Sequence, residues 1–339
     1  MNLRTLLLGV VLALLAPATA FAIPFSGMYV FGDSVPDNGN LYAATGGLVP
    51  PSPPYYMGRS SNGPVSVELL ADHLIAGGST GPNFHDYAYA GATTGVGNVW
   101  DSGTPTTPGT GVLDLPPPYN VNLGAPLPGM QVEINNYASA VGPGGADPNG
   151  LYVVWGGPDD FISGGSTNVG LAVTNIATQV GTLAALGARY ILVPNSIDLS
   201  LVPRIIAAGN PALSAGAQAL SLGFDQALAT ALANLSQTVT AKIIPFDTAA
   251  LFNMVIADPT AFGLTNVTDA CLTYTGTTPV QCSNPSQYLF WDDLHPSYAA
   301  SQIIATALRR TVPEPGELAL VGLGLVILVT VRRRVTKAG

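Results

Sequence analysis

Charge is scarce in this 339-residue chain: Asp, Glu, Lys and Arg make up 9% of it, and only 11 residues are basic against 20 acidic. So few cations exclude the broad basic surface by which proteins hold nucleic acid. Cysteine is scarcer still, with Cys271 and Cys282 alone and ten residues between them in a Thr, Gly and Pro-rich stretch. One pair makes no structural zinc site. In an oxidising compartment it reads as a disulfide. Histidine occurs three times, at 73, 85 and 295, without metal-ligand spacing, so neither a metal nor another cofactor is expected.

What is abundant is apolar: 47% of the residues, ample for a sizeable core. Residues 1–22 read as a secretory signal, with Arg4, an apolar run over 6–16 and then "APATAFA", whose small residues suit cleavage. At the other end "VPEPGELALVGLGLVILVTVRRRVTK" sets Pro-Glu-Pro before an apolar run over 318–331, closed by Arg332, Arg333 and Arg334. Those 14 residues fall short of the roughly 20 that span a bilayer comfortably. The trailing arginines favour the cytoplasmic side and would sit badly in a protein core. The two ends hold five of the 11 basic residues and two of the 20 acids, which leaves the body with six basic and 18 acidic side chains.

Between the ends, short β-rich runs alternate with longer Ala and Leu-rich stretches. This is the pattern of an α/β domain with a mostly parallel sheet. Strands are expected at "MYVFGDS", at "FHDYAYAG" from Phe84, at "LYVVW" from Leu151, at "RYILVP" from Arg189 and at "AKIIPFD". Helices are expected at "VSVELLADHLI", "VGLAVTNIATQVGTLAALG", "ALSAGAQALSLGFDQALATALANLS" and "SYAASQIIATALRR". Residues 95–149 are rich in Pro, Gly, Thr and Asn, apart from a helical candidate at "MQVEINNYASAV", and read as an insertion over or beside a site. The reading is one domain over 23–312.

Ligands bind beyond the carboxyl ends of the strands in such sheets. The residues found there are Ser34 in "FGDSVPDNGN", Gly91 in "AYAGATT", the pair Asp159 and Asp160 in "GGPDDF", and Asp292 with His295 in "LFWDDLHPSY". A serine attacks only if a base takes its proton, and histidine suits that task near neutrality. Asp292 is placed to hold the imidazole tautomer. His73 falls in an expected helix and His85 at a strand start, which makes them surface or core residues rather than catalysts.

These blocks resemble, in chain order, those of the SGNH or GDSL hydrolases, a family of serine esterases and lipases. "GDSV" stands for the GDSL block, "DYAYAGA" for the glycine block and "DDLH" for the final Asp-x-x-His, with added similarity at "SNGPVSVELLA" and "WDDLHPS", over residues 29–298. The resemblance implies a three-layer α/β/α sandwich, flavodoxin-like, with a five-stranded, mostly parallel sheet. It implies Ser34 as nucleophile, His295 as base, Asp292 as its orienting acid, and an oxyanion hole built from Ser34, Gly91 and the residue at 159. There the family pattern Gly-x-Asn-Asp reads "GPDD", so Asp159 stands where the family has asparagine, beside the family's usual acid, Asp160. An ionised carboxylate only accepts hydrogen bonds and would face a developing negative charge. Losing one neutral donor costs about 10²- to 10³-fold in turnover.

The C-terminal segment 313–339 resembles the PEP-CTERM sorting signal of Gram-negative bacteria. That resemblance implies an exosortase-type processing enzyme as partner, a membrane segment before processing, and an envelope or extracellular-matrix destination. The function so implied is a secreted serine esterase acting on acyl lipids or on O-acyl groups of envelope polysaccharide. The alternatives are a catalytically impaired surface protein that binds glycan or lipid, and an acyltransferase using the same serine.

Overall fold

The computed structural model describes residues 25–312; the expected leader at 1–22 and the expected sorting segment at 313–339 lie outside them. The centre is a sheet of five parallel strands: β1 (Met28–Gly32), β2 (Phe84–Asp86), β3 (Leu151–Trp155), β4 (Tyr190–Pro194) and β5 (Lys242–Phe246), in the spatial order β2-β1-β3-β4-β5. Strand β3, "LYVVW", is buried at all five positions, as a strand covered on both faces must be. Pro245 lies in β5, at the sheet edge, where a missing N–H costs no ladder bond between strands.

Six helices flank the sheet: α1 (Ser66–Leu74), α2 (Met130–Val141), α3 (Val169–Leu186), α4 (Pro211–Leu235), α5 (Thr248–Ala257) and α6 (Tyr298–Thr311). Helices α2, α3 and α4 pack in a row on one side, and α1, α6 and α5 on the other, giving the α/β/α layering expected. Side-chain caps start four of them: Asn168 for α3, Asn210 followed by Pro211 for α4, Asp247 for α5 and Ser297 for α6. The order of the strands reverses between β1 and β3, and the loops leaving these two strands open the crevice in which such sheets bind ligands.

The structure departs from the expected elements in three places. The second strand is cut to three residues; beyond it the Ala88 and Ala90 amides donate to the carboxylates of Asp86 and Asp37, while the Tyr89 N–H is shared between the Gly32 carbonyl of β1 and Glu133. Residues 95–129 form a packed loop with its own small core, in which Leu113 and Leu127 meet Leu41, Val49 and Ala90. The buried carboxylate of Asp101 accepts from the Gly111 and Leu127 N–H groups and so ties that loop down. Finally, the stretch between the cysteines is an antiparallel hairpin, β7 (Leu272–Thr275) with β8 (Thr278–Gln281), closed by the Cys271–Cys282 disulfide. A further parallel pair, β6 (Asn266–Ala270) with β9 (Tyr288–Phe290), leads into the segment of Asp292 and His295.

Candidate active site

Ser34 lies just beyond β1. The strand ends at Gly32, whose φ is +157° and where a Cβ would run into the carbonyl oxygen of Trp155. Glycine therefore permits the close approach of β1 and β3 that puts Ser34 beside the loop after β3. The Asp33 N–H donates back to the Trp155 carbonyl at 3.3 Å, and Asp33 Oδ1 accepts the Val35 N–H at 3.0 Å. These bonds hold the serine at the tip of a tight turn.

Asp292 and His295 share the short turn between β9 and α6. Asp292 Oδ1 accepts the Leu294 N–H at 2.9 Å and the His295 N–H at 2.7 Å, while the Trp291 N–H donates to the His295 carbonyl at 2.8 Å. The imidazole then bridges two residues far apart in sequence. His295 Nδ1 is 2.8 Å from Asp292 Oδ2, and His295 Nε2 is 2.8 Å from Ser34 Oγ. Burial works against the Asp292 charge, but His295 and the two N–H donors outweigh it and hold the pKa down at about 2. Burial likewise works against a charged His295, and is outweighed by Asp292 and then by Asp159 and Asp33, so the histidine pKa is raised.

Gly91 sits in the loop after β2 at φ +82°, where a Cβ would collide with Trp100 and Asn98. Asp159 stands in the first turn after β3, 6% exposed. Burial pushes its pKa up, against the pull of His295, the Ser163 hydroxyl, Arg204 and the Gly91 N–H, each of which favours the ionised form. Asp33 is fully buried near it, and burial together with the Asp159 charge raises Asp33 to about 8. Burial thus favours the protonated form of both acids, and the charge of each opposes that of the other. Asp160 plays a different part: its two oxygens take the Thr94 N–H and hydroxyl, both at 2.7 Å, and anchor the loop behind Gly91. The two neighbouring acids are thus not an acid/base pair.

Two cavities meet at Ser34, Asp159 and His295. One is small and apolar, about 40 Å³, walled by Trp155, Pro158, Leu199, Phe252 and Ile304. The other is a wider cleft of about 410 Å³ with Tyr55, Trp100, Asp114, Ser163, Arg204 and Tyr274 on its walls. A hydroxyl next to a base, with a small apolar recess on one side and a polar cleft on the other, can add to a carbonyl carbon and release a bulky alcohol. Among the described residues no group of three or more His, Cys, Asp or Glu is arranged to hold a metal ion.

The structure brings Ser34, Asp292, His295, Gly91 and Asp159 to one place, while His73 lies exposed on α1 and His85 stacks on Tyr29. Two residues in and behind this site carried no sequence mark of the bonds they make. Tyr55, in the Pro-rich "SPPYY", donates its hydroxyl to Asp292 Oδ2 at 2.8 Å. Glu133, inside the insertion helix, accepts the N–H of Gly32 at 2.9 Å and of Tyr89 at 3.2 Å.

Residues 28–308 match the family model described as GDSL-like Lipase/Acylhydrolase. The chain is 31% identical to Esterase EstA of Pseudomonas aeruginosa, over 94% of this chain and 52% of that protein. It is 28% identical to a phosphatidylcholine-sterol acyltransferase of Aeromonas hydrophila, over 78% of this chain and 70% of that one. It therefore spans about half the length of some of the curated relatives it matches. A crystal structure of a lipolytic G-D-S-L family protein from Veillonella parvula aligns with a TM-score of 0.40 at 13% identity, covering 84% of this chain and 97% of that one. With the family model spanning nearly the whole described region, the chain belongs to the GDSL-like lipase/acylhydrolase family.

Proposed function

We propose that this protein is an exported serine esterase that removes a short acyl group from a bulky, polar alcohol. The observation that carries the reading is the relay from Ser34 Oγ to His295 Nε2 and from His295 Nδ1 to Asp292, each step 2.8 Å. Ser34 adds to the ester carbonyl as its proton passes to His295, and Asp292 stabilises the resulting imidazolium. His295 then protonates the leaving alcohol, and water, activated by the same histidine, releases the acid from the acyl-serine. The negative oxygen formed in each addition is met by the N–H groups of Ser34 and Gly91. Asp159 opposes it, so turnover is slow for this family.

The narrower, apolar recess and the wider, more polar cleft favour a short acyl group in the former and a large alcohol in the latter. The Trp and Tyr rings and the polar groups of that cleft suit a sugar. O-acyl groups on an envelope polysaccharide are thus preferred over long-chain lipids as substrates. Export and anchoring rest on the two ends of the sequence, as does processing by an exosortase-type enzyme.

A second reading is supported by Asp159 itself. With a carboxyl in place of a neutral amide beside the Gly91 N–H, the site is also suited to holding an ester or glycan without turning it over. A third, transfer of the acyl group to another hydroxyl, uses the same Ser34 chemistry and is favoured by the similarity to a protein named as an acyltransferase.

The test is hydrolysis of p-nitrophenyl acetate, butyrate and decanoate by the full chain, Ser34→Ala and Asp159→Asn. Esterase function requires turnover that is lost in Ser34→Ala and is faster on acetate than on decanoate. An inert wild type with an active Asp159→Asn would favour binding. Acylated sugar formed from an added acceptor would favour transfer.

A further inference from the structure

Four consecutive amides in the loop that carries Gly91 each meet a different acid. The Ala88 N–H donates to Asp86 at 2.8 Å, the Tyr89 N–H to Glu133 at 3.2 Å and the Ala90 N–H to Asp37 at 2.8 Å, and the Gly91 N–H faces Asp159. Asp86 belongs to β2 and also takes the Asn38 N–H at 3.0 Å, and Asp37 belongs to the loop of Ser34 and also takes the Leu41 N–H at 3.2 Å, so these two acids join the loops from within. Glu133 is different. It comes from α2, outside both loops, and is 1% exposed.

Its two carboxyl oxygens divide between the two loops. Oε2 takes the N–H of Gly32, two residues before Ser34, and Oε1 takes the N–H of Tyr89, two residues before Gly91. The Tyr89 N–H is also shared with the Gly32 carbonyl at 3.1 Å, so it does not need Glu133 in order to be satisfied. The consequence of the second bond is geometric. One planar, buried group holds both backbone segments in a set relation.

We infer that Glu133 is a positioning residue that sets the separation of the Ser34 and Gly91 N–H groups through its bonds to Gly32 and Tyr89. The inference rests on the esterase reading of Ser34. It gives the insertion helix α2 a task in the reaction, although α2 supplies no group that touches substrate. A misplacement of about 1 Å in such a site costs about 10²-fold in rate.

The experiment compares Glu133→Gln and Glu133→Asp with the unaltered full chain, and repeats all three with Asp159→Asn. It measures kcat and KM on p-nitrophenyl acetate, and the rate at which a fluorophosphonate labels Ser34. Gln keeps one acceptor oxygen but turns an amide donor toward the other N–H; Asp is too short to reach both. The expected result is a fall in kcat approaching 10²-fold, with KM little changed, slower labelling in parallel, and Glu133→Gln retaining more activity than Glu133→Asp. Unchanged kcat, a loss carried by KM, or a lost folded baseline in both variants would overturn it, the last because Glu133 would then be a structural prop. If Ser34 is neither labelled nor active in either background, the esterase reading fails and this inference falls with it. Labelling and turnover indifferent to Glu133→Gln would overturn the inference alone.

Discussion

The hydroxyl of Tyr55 donates to Asp292 Oδ2 at 2.8 Å, the same carboxylate oxygen that His295 Nδ1 approaches at 2.8 Å. Asp292 thus divides its charge between a phenol from the N-terminal quarter of the chain and the imidazole beside it in sequence. In Tyr55→Phe the carboxylate loses one donor and attracts the imidazolium more strongly, which raises the His295 pKa further. Since His295 must be neutral to act as base, the acid limb of kcat/KM moves to higher pH. Turnover at neutral pH falls about 10-fold, in keeping with the worth of a hydrogen bond to a charged group. A pH profile identical to that of the unaltered protein would refute the link.

Asp159→Asn has a different signature. The Asp159 charge contributes to raising His295, so its removal lowers the histidine pKa and moves the acid limb to lower pH. The amide also supplies the missing donor, so kcat rises by up to about 10²- to 10³-fold. A wild-type optimum on the acid side that disappears in the variant would mean instead that a protonated Asp159 serves as the donor. The pH dependence of kcat in both proteins decides between the two.

Stability should decline as pH rises from about 4 to about 8. Burial raises Asp33 to about 8, Asp225 to about 7 and Asp160 to about 6, and His295 is also raised. Unfolded carboxyls titrate near 3.9, so the folded protein binds more protons across this window and is favoured at its acid end. Asp292, depressed to about 2, acts in the opposite sense: its contribution is present above the unfolded value and is lost as pH falls toward 2. The melting temperature should therefore peak near pH 4 to 5. A melting temperature that climbs between pH 5 and pH 8 would contradict this balance.

The Cys271–Cys282 bond closes a loop with a sequence separation of 11. By loop-closure entropy its loss should cost about 3 kcal/mol. The hairpin is attached to the segment of the acid: the Cys271 N–H donates to the Phe290 carbonyl and the Leu272 N–H to that of Trp291, next to Asp292. Cys282→Ser should therefore lower both the unfolding midpoint and kcat, measured by denaturant titration and ester turnover. Loss of stability with full activity would detach the hairpin from the site.

The sequence by itself determined the layered α/β fold, because alternating buried strands and amphipathic helices leave few other ways to cover both faces of a sheet. It also marked Ser34, Gly91, Asp159, Asp292 and His295, since each falls just after a strand or before the last helix. Tertiary structure decided the rest. Beyond β2, Asp86, Glu133 and Asp37 take the amides of Ala88, Tyr89 and Ala90, and two of these three acids come from outside the strand. Tyr55 and Glu133 carry no local pattern: their partners are 237 and 101 residues away, and only the folded sheet brings them within hydrogen-bonding reach.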